Sequence, residues 1–116
     1  MTTVFAHPHF LDHDTGQHPE TASRLTTVQD KLSASGRLDG CGRGAVNRID
    51  LEFLAKVHRK EQIAAAKSLA EAGGGQLDAD TIVSPASFDV AMMAAGTAVA
   101  AVDIVMNGTD TNALCL

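Results

Sequence analysis

Residues 13–20 have the sequence His13-Asp14-Thr15-Gly16-Gln17-His18-Pro19-Glu20, and this stretch joins a first strand to a first helix. Before it, Thr3-Val4-Phe5-Ala6 is a short β-branched and aromatic run, which favours a strand. After it, Pro19 suits the first position of a helix, and apolar residues recur at helical spacing as far as Gly36. The sequence therefore predicts a strand at residues 3–6 and an amphipathic helix over residues 19–35.

The middle of the chain predicts a second strand and two further helices. Residues 45–49 have the length and alternation of a strand. Asp50 can cap a short helix over residues 51–57, because its carboxylate accepts bonds from free backbone N–H groups. A longer helix is predicted for residues 60–72. The glycines at 73–75 follow a helix and lack the Lys of a phosphate loop, so we interpret them as a flexible stop that ends this helix.

The last part of the chain predicts a long helix and a final strand. Ser84 and Pro85 suit a helix cap and a first helical position, and the helix is predicted to run from Pro85 to Asn107. Residues 113–116 return to a strand. This alternation implies a parallel sheet with right-handed crossovers. The predicted fold class is α/β, a single domain over residues 1–116 with a small three-layer parallel sheet of about three strands and flanking helices.

Composition indicates a small domain with a modest core. The chain has 116 residues, of which 45% are hydrophobic and only 3% aromatic. Its formal charge of −5 and its lack of a basic run argue against nucleic acid as a partner. The apolar run at 88–106 contains Asp89 and Asp103, so we interpret it as a buried helix and predict no membrane span or signal peptide. Cys41 and Cys115 are interpreted as free thiols in a reducing cytoplasm.

Histidines and carboxylates crowd the N-terminal part of the chain. They are His7, His9, His13 and His18, with Asp12 and Asp14 between them. Imidazole and carboxylate groups together are plausible zinc ligands. Their spacing matches no recognised metal pattern, however, and no cysteine accompanies them. We therefore expect a loop of solvated histidines and no metal site.

Asp78 and Asp80 allow two interpretations. Two close carboxylates can divide the roles of acid and base, because each changes the pKa of the other. Two aspartates in a loop are more often solvated turn formers. Ser84 and Ser87 lie in no Gly-x-Ser-x-Gly elbow and are interpreted as residues of a helix start. These residues alone identify no reaction.

Several separated motifs, taken in order, resemble the opening third of the histone deacetylase superfamily, either of its bacterial and class II-like deacetylases or of its acetylpolyamine amidohydrolases. They are His-Asp-Thr-Gly at 13–16, His-Pro-Glu at 18–20, Arg24-Leu25, Val57-His58, residues 78–85 with Phe88, Ala94-Ala95-Gly96, Ala101-Val102-Asp103, Asn107-Gly108 and Asn112-Ala113. The resemblance covers nearly the whole chain. It implies the first part of an arginase/deacetylase-like fold.

The resemblance also implies an activity, because members of this family are zinc hydrolases that remove acetyl groups from acylated lysine or polyamine amines. The family's catalytic histidine pair and its zinc ligands lie beyond the strand that residues 113–116 match. We therefore expect no catalytic residue, no metal ligand and no cofactor within these 116 residues, with zinc only in a full-length relative.

The resemblance assigns Asp80 to the substrate-binding rim, where the family's carboxylate holds backbone amides of the substrate. It places His13, Asp14, His18 and Glu20 in the loop that borders the active-site mouth. Two departures stand out. The family often has Arg-Pro where this chain has Thr21-Ala22, which puts an inner channel in doubt. Gln62-Ile63 stand where a Tyr is usual, a change expected to be absorbed in packing.

Two functional hypotheses of different classes follow. In the first, the chain is a truncated N-terminal portion of a deacetylase-like hydrolase and is inactive alone. In the second, it is a non-enzymatic remnant that forms a homo-oligomer through the strand Ala113–Leu116 or the helix Pro85–Asn107, because both would expose apolar or unpaired groups. A weaker third hypothesis is a small ligand-binding module that uses the 13–20 loop and Asp80.

Overall fold

A computed structural model describes all residues from 1 to 116. The strands are β1 (Thr2–Phe5), β2 (Gly42–Arg43), β3 (Gly75–Asp78), β4 (Thr81–Val83) and β5 (Asn112–Cys115). The α-helices are α1 (Ala22–Ala34), α2 (Leu51–Leu54), α3 (Lys60–Glu71) and α4 (Ser87–Met106), and a 3-10 helix spans Pro8–Asp12.

The main sheet has three parallel strands in the order β2-β1-β5. Val4 in the central strand lies opposite Arg43 on one side and Leu114 on the other. Val4 and Phe5 are each only 1% exposed. Because successive residues of a strand point to opposite faces, both faces of β1 are covered. The predicted α/β class with a three-stranded parallel sheet is therefore confirmed.

Helix α4 packs against β1, β5, α3 and the 3-10 helix. It is long and apolar enough, by length and composition alone, to cross a membrane. Its inner side is buried at Val90, Met92 and Ala101, whereas Val102 is 60% and Met106 78% exposed. The interpretation of this segment as a buried helix thus holds for one side only.

The predicted strand at residues 45–49 is wrong. The strand beside β1 is the earlier pair Gly42–Arg43, and residues 44–50 have no regular structure. This segment crosses α4 instead, and the Ile49 N–H donates to the Met92 carbonyl at 3.0 Å. The crossing is close, since a Cβ on Gly96 would lie 2.0 Å from the Asn47 oxygen. The half-buried Val46 and Ile49 therefore belong to a segment that crosses a helix and does not join the sheet.

The segment between α3 and α4 forms an antiparallel hairpin of β3 and β4, where the sequence predicts only a glycine stop and a loop. Gly74 and Gly75 both have positive φ. A Cβ on Gly74 would lie 2.5 Å from the Val83 oxygen, so the start of the hairpin requires glycine. The hairpin brings Asp80 to a turn between two strands.

The predicted helix boundaries differ from the observed ones by a few residues. The Asp50 cap is confirmed, because its carboxylate accepts the Glu52 N–H at 2.9 Å, although α2 ends at Leu54. Helix α4 begins at Ser87 and not at Pro85. The Ser87 hydroxyl accepts the Ser84 N–H at 2.7 Å, which holds Ser84 in a turn before the helix.

Candidate substrate-binding site

A pocket of about 320 Å³ lies between the N-terminal loop, α3, the β3–β4 hairpin and the start of α4. Its polar lining comprises His13, Thr15, His18, Glu20, Asp80, Thr81 and Ser87. Its apolar lining comprises Ala66, Leu77, Ile82, Val83, Phe88 and Ala91. A volume of this size falls at the lower end of small-molecule sites, and apolar walls with a few polar groups are typical of them.

His18 and Asp80 join the two loops across this pocket. The His18 Nε2 lies 2.8 Å from Asp80 Oδ1, and its Nδ1 accepts the Glu20 N–H at 3.0 Å. The His18 side chain is 19% exposed, whereas that of Asp80 is 90% exposed. A half-buried imidazole therefore holds a carboxylate that faces solvent.

His13 is held by two serines at the start of α4. Its Nδ1 lies 2.6 Å from the Ser87 hydroxyl, which lies 2.9 Å from the Ser84 hydroxyl. The Ser84 oxygen also accepts the Asp14 N–H at 3.0 Å. These bonds fix the N-terminal loop against α4, and they explain why Ser84 and Ser87 occupy this turn.

The rest of the loop is shaped by local bonds. Asp14 Oδ1 accepts the Gly16 N–H at 2.8 Å, and Gly16 has a φ of 63°, which favours glycine. The Thr15 hydroxyl donates to the Glu20 carbonyl, and the Glu20 carboxylate pairs with Arg24 on α1. Asp14 thus shapes the loop from outside the pocket lining.

Asp78 serves the hairpin turn. Its Oδ1 accepts the Asp80 N–H at 2.9 Å. This bond, with a second from the Thr81 hydroxyl, lowers the pKa of Asp78 below its ordinary value. Of the two interpretations of this aspartate pair, the structure favours a turn former for Asp78, because its carboxylate is used by the turn.

The structure brings four of the five sequence-predicted site residues into one pocket: His13, His18, Glu20 and Asp80. Their role as substrate ligands stays a prediction. Thr15, Leu77 and Phe88 also line the pocket and are not predicted as site residues from the sequence. Ser87 is predicted only at a helix start, although the Ser-x-x-Ser spacing next to Pro85 is a usable signal for a polar turn.

Gln62 and Ile63 do not close the space around them. They line a separate, largely apolar cavity of about 250 Å³ together with His58 and residues of α4. It shares Ala66, Leu77, Phe88 and Ala91 with the pocket, so the two spaces adjoin. Gln62 and Ile63 were expected to fill by packing the place where a Tyr is usual. They leave part of that place open instead.

The His-rich segment offers no arrangement that fits zinc. No three His, Cys, Asp or Glu side chains converge in a way that could hold a metal ion. Both ring nitrogens of His9 face carboxylates, 2.5 Å from Asp12 and 2.8 Å from Asp89, and Asp89 also pairs with Arg48. Both ring nitrogens of His18 are also used. His9 and His18 are therefore engaged in protein contacts through both ring nitrogens.

Cys41 and Cys115 are free, as expected. Cys41 is half-buried and Cys115 is exposed on β5. Partial burial raises the pKa of the Cys115 thiol above its ordinary value. Neither cysteine lines the pocket.

Comparison with known proteins agrees with this fold. The family model that describes the histone deacetylase domain matches residues 18–116 of this chain. The chain is 37% identical over 100 residues to a histone deacetylase-like amidohydrolase of Pseudomonas aeruginosa, covering 86% of this chain and 26% of that protein. It is 36% identical over 111 residues to an uncharacterized protein of Synechocystis, covering 92% of this chain and 36% of that protein.

A solved structure shows the same architecture. The crystal structure of the HDA15 HD domain superposes with a TM-score of 0.91 at 23% identity, covering 98% of this chain and 34% of that one. The chain thus spans between about a quarter and about a third of the length of these proteins. The domain match over residues 18–116 shows that this chain belongs to the histone deacetylase family.

Proposed function

We propose that this chain forms part of the substrate-binding rim of a zinc-dependent, deacetylase-like amidohydrolase that acts on acetylated amines. The observation that carries the proposal is the exposed Asp80 carboxylate, which His18 holds at the mouth of a partly apolar pocket. An ionised carboxylate accepts N–H bonds from an extended substrate and fixes its direction.

The pocket supports this role through its two kinds of surface. Asp80 Oδ1 is occupied by His18, and no protein group binds its Oδ2. Leu77 and Phe88 line the same pocket and offer apolar surface for the aliphatic part of a ligand. The hydrolytic step requires groups that these 116 residues do not bring together, so the isolated chain is expected to release no acetate.

A chimera tests the proposal directly. The matched 100-residue segment of the Pseudomonas aeruginosa relative is replaced by the corresponding residues of this chain, and hydrolysis of an acetyl-lysine peptide is measured with and without zinc. We expect zinc-dependent activity in the chimera. Asp80→Ala should lower kcat/KM by about tenfold to a hundredfold, as expected for loss of bonds to a charged acceptor.

The matched control is Asp103→Ala, which removes an exposed aspartate of α4 that lines no part of the pocket. It should leave kcat/KM unchanged. Equal effects of the two variants, or robust zinc-dependent hydrolysis by the 116-residue chain alone, would contradict the proposal. The mass of the protein in its native cells, recovered with an antibody against this chain, would show whether a hydrolytic portion accompanies it there.

The alternative function is a self-associating, non-enzymatic module in the cytoplasm. Strand β5 has only β1 as a neighbour in the sheet, so its other edge has unpaired backbone groups. Val102 and Met106 add exposed apolar surface on α4, the helix that packs against β5. Together these features favour a homodimer.

Light scattering of the purified chain at increasing concentration tests this alternative. A mass near twice 12.1 kDa is expected. Val102→Lys should return the chain to a monomer, whereas Val28→Lys, which changes an exposed apolar residue of α1, should leave the dimer intact. A stable monomer at high micromolar concentration would exclude the homodimer.

A further inference from the structure

A groove between α2 and α3 lies apart from the candidate substrate-binding site. It has a volume of about 300 Å³, and all the residues that line it belong to the segment 51–67. None of them lines the pocket that contains Asp80. Whatever this groove binds is therefore independent of the proposed hydrolytic role of the chain.

The lining of the groove is almost entirely apolar. Leu51 and Ala55 contribute from the α2 side, and Ile63 and Ala64 contribute from α3. Leu51 is 46% exposed, Ala64 is exposed, and Ala55 and Ile63 are half-buried. A molecule that enters the groove would remove this surface from water and gain hydrophobic free energy.

The α3 side of the groove is one face of a helix with a lysine at each end. Lys60, Ile63, Ala64 and Lys67 follow one another at positions i, i+3, i+4 and i+7, which lie on the same face. At 1.5 Å per residue the two lysines are about 10 Å apart along the helix axis. The apolar pair lies between them. This face therefore carries two positive charges on either side of an apolar centre.

The charge of this segment contrasts with that of the whole chain. Residues 51–67 contain four lysine or arginine residues and two glutamates, whereas the chain as a whole contains nine and 14 acidic residues. Lys56, Arg59 and Lys60 take part in none of the ion pairs of the structure. Lys67 lies 3.8 Å from Glu71, and both side chains are exposed. The positive charge around the groove is thus largely uncompensated.

We propose that the groove between α2 and α3 binds an acidic amphipathic helix of a partner protein. Apolar side chains of that helix would enter the groove, and two of its carboxylates, seven residues apart, would lie beside Lys60 and Lys67. A partner helix repeats with the same rise as α3, so this spacing matches that of the lysines. Glu52 is the one carboxylate in the lining and faces two ammonium groups, so the balance favours an acidic partner over a basic one.

A recess between two helices favours a partner helix over a lipid surface. Helices that bind a bilayer present a long apolar face that enters the headgroup region. Helix α2 has only four residues, and the apolar lining lies between it and α3. Side chains of a partner can reach this lining, whereas a flat bilayer surface cannot follow a recess.

The first test uses a designed peptide as the probe. It is an alanine-based helical peptide with blocked ends, two adjacent leucines, one glutamate three residues before them and one three residues after them. Titration into the ¹⁵N-labelled chain should shift the amide signals of residues 51–67 in a saturable way. A peptide with lysine in place of both glutamates should bind about tenfold more weakly. Absence of saturable shifts in this segment, or equal binding of the two peptides, would overturn the proposal.

A charge exchange shows whether Lys60 and Lys67 select the partner. In the double variant Lys60→Glu/Lys67→Glu the preference should reverse, so that the lysine peptide binds more tightly than the glutamate peptide. The matched control is Lys31→Glu/Arg37→Glu, which changes the net charge equally at two exposed residues outside the groove. It should keep the preference for the glutamate peptide. Equal preferences in the two double variants, with circular dichroism showing both folded, would refute the role of these lysines.

Vesicles and the chimera test the other occupants of the groove. Sedimentation of the chain with vesicles of phosphatidylcholine and phosphatidylglycerol, without binding of the glutamate peptide, would replace the partner helix by a lipid surface. The chimera with the Pseudomonas aeruginosa relative should also bind the glutamate peptide. Loss of binding there would show that another part of a longer chain covers the groove, and it would overturn the proposal. Peptide binding by a chimera without hydrolytic activity would refute the proposed function and leave this inference standing.

Discussion

The carbonyl oxygen of Asn47 occupies the space that a side chain on Gly96 would need. A Cβ on Gly96 would lie 2.0 Å from this oxygen, and 2.8 Å from the backbone of Arg48 and Ile49. The adjacent Ile49 N–H donates to the Met92 carbonyl, one turn earlier on α4. A segment without regular structure is therefore fixed on the helix by its backbone.

Gly96→Ala should destabilise the chain. Alanine gains about 1 kcal/mol of helix propensity over glycine, but forcing a methyl group into a filled space costs about 3 kcal/mol, so a net loss of about 2 kcal/mol in the free energy of unfolding is expected. Urea unfolding measures it. The control is Gly108→Ala, where no atom lies within 4 Å and only the positive φ opposes the change. A larger loss at Gly108 would contradict the close crossing.

The wrong strand at 45–49 shows where sequence patterns lose information. Val46 and Ile49 in this segment are half-buried, but an apolar pattern does not identify whether the neighbour is a helix or a strand. The true strand, Gly42–Arg43, consists of residues with little strand preference and exists because β1 offers it hydrogen-bond partners. By contrast, β1, α1, α3 and α4 were found because a local pattern and the tertiary fold agree there.

Phe5 and Gly44 form a second contact that can be tested. A Cβ on Gly44 would lie 2.2 Å from the Phe5 ring, and the ring itself is 1% exposed. Phe5→Ala should cost about 3–5 kcal/mol and Gly44→Ala about 2 kcal/mol. The clash is absent in the double variant. Its loss in the free energy of unfolding should therefore be smaller than the sum of the two single losses by about 1 kcal/mol or more. Phe5→Ala combined with Gly108→Ala should be additive.

The candidate site was accessible from sequence only in part. His13, His18, Glu20 and Asp80 were named from the resemblance, and the structure places all four around one pocket. The hydrogen-bond chain through Ser84 and Ser87 was not predictable, because it joins residues about 70 positions apart along the chain. Leu77 was missed because the hairpin that carries it was assigned to a loop.

Asp89 links three parts of the fold, and its removal should matter more than that of an isolated surface pair. Its carboxylate meets His9 of the 3-10 helix and Arg48 of the crossing segment. Asp89→Asn should cost about 1 kcal/mol in the free energy of unfolding, and less at high salt. The control is Glu71→Gln, since the Lys67–Glu71 pair is exposed and 3.8 Å long and should contribute close to nothing. Equal effects would argue against the network.

Asp110 connects the first residues of β1 to the turn before β5. Its side chain is 6% exposed, it accepts the Thr3 hydroxyl at 2.6 Å, and its other oxygen lies 2.9 Å from the N-terminal amine. The Thr3 bond first, and the amine second, lower the pKa of Asp110 below its ordinary value. The carboxylate therefore supports the pairing of two strands more strongly when it is ionised.

Thr3→Val tests this link through the pH dependence of stability. Because the pKa of Asp110 is lower in the folded chain than in the unfolded one, its contribution is complete above about pH 4, the ordinary value of an aspartate, and is lost as the pH falls through the folded pKa. Thr3→Val moves the folded pKa of Asp110 towards the ordinary value. The free energy of unfolding at neutral pH should therefore fall, and its further loss in acid should become shallower.

Thr2→Val is the matched control, since the Thr2 hydroxyl donates to the uncharged Asn112 side chain at 2.6 Å and its loss should lower stability equally at all pH values. Urea unfolding of the three proteins at several pH values gives the slopes, and a Thr3→Val slope equal to that of the wild type would show that the hydroxyl does not set the pKa of Asp110.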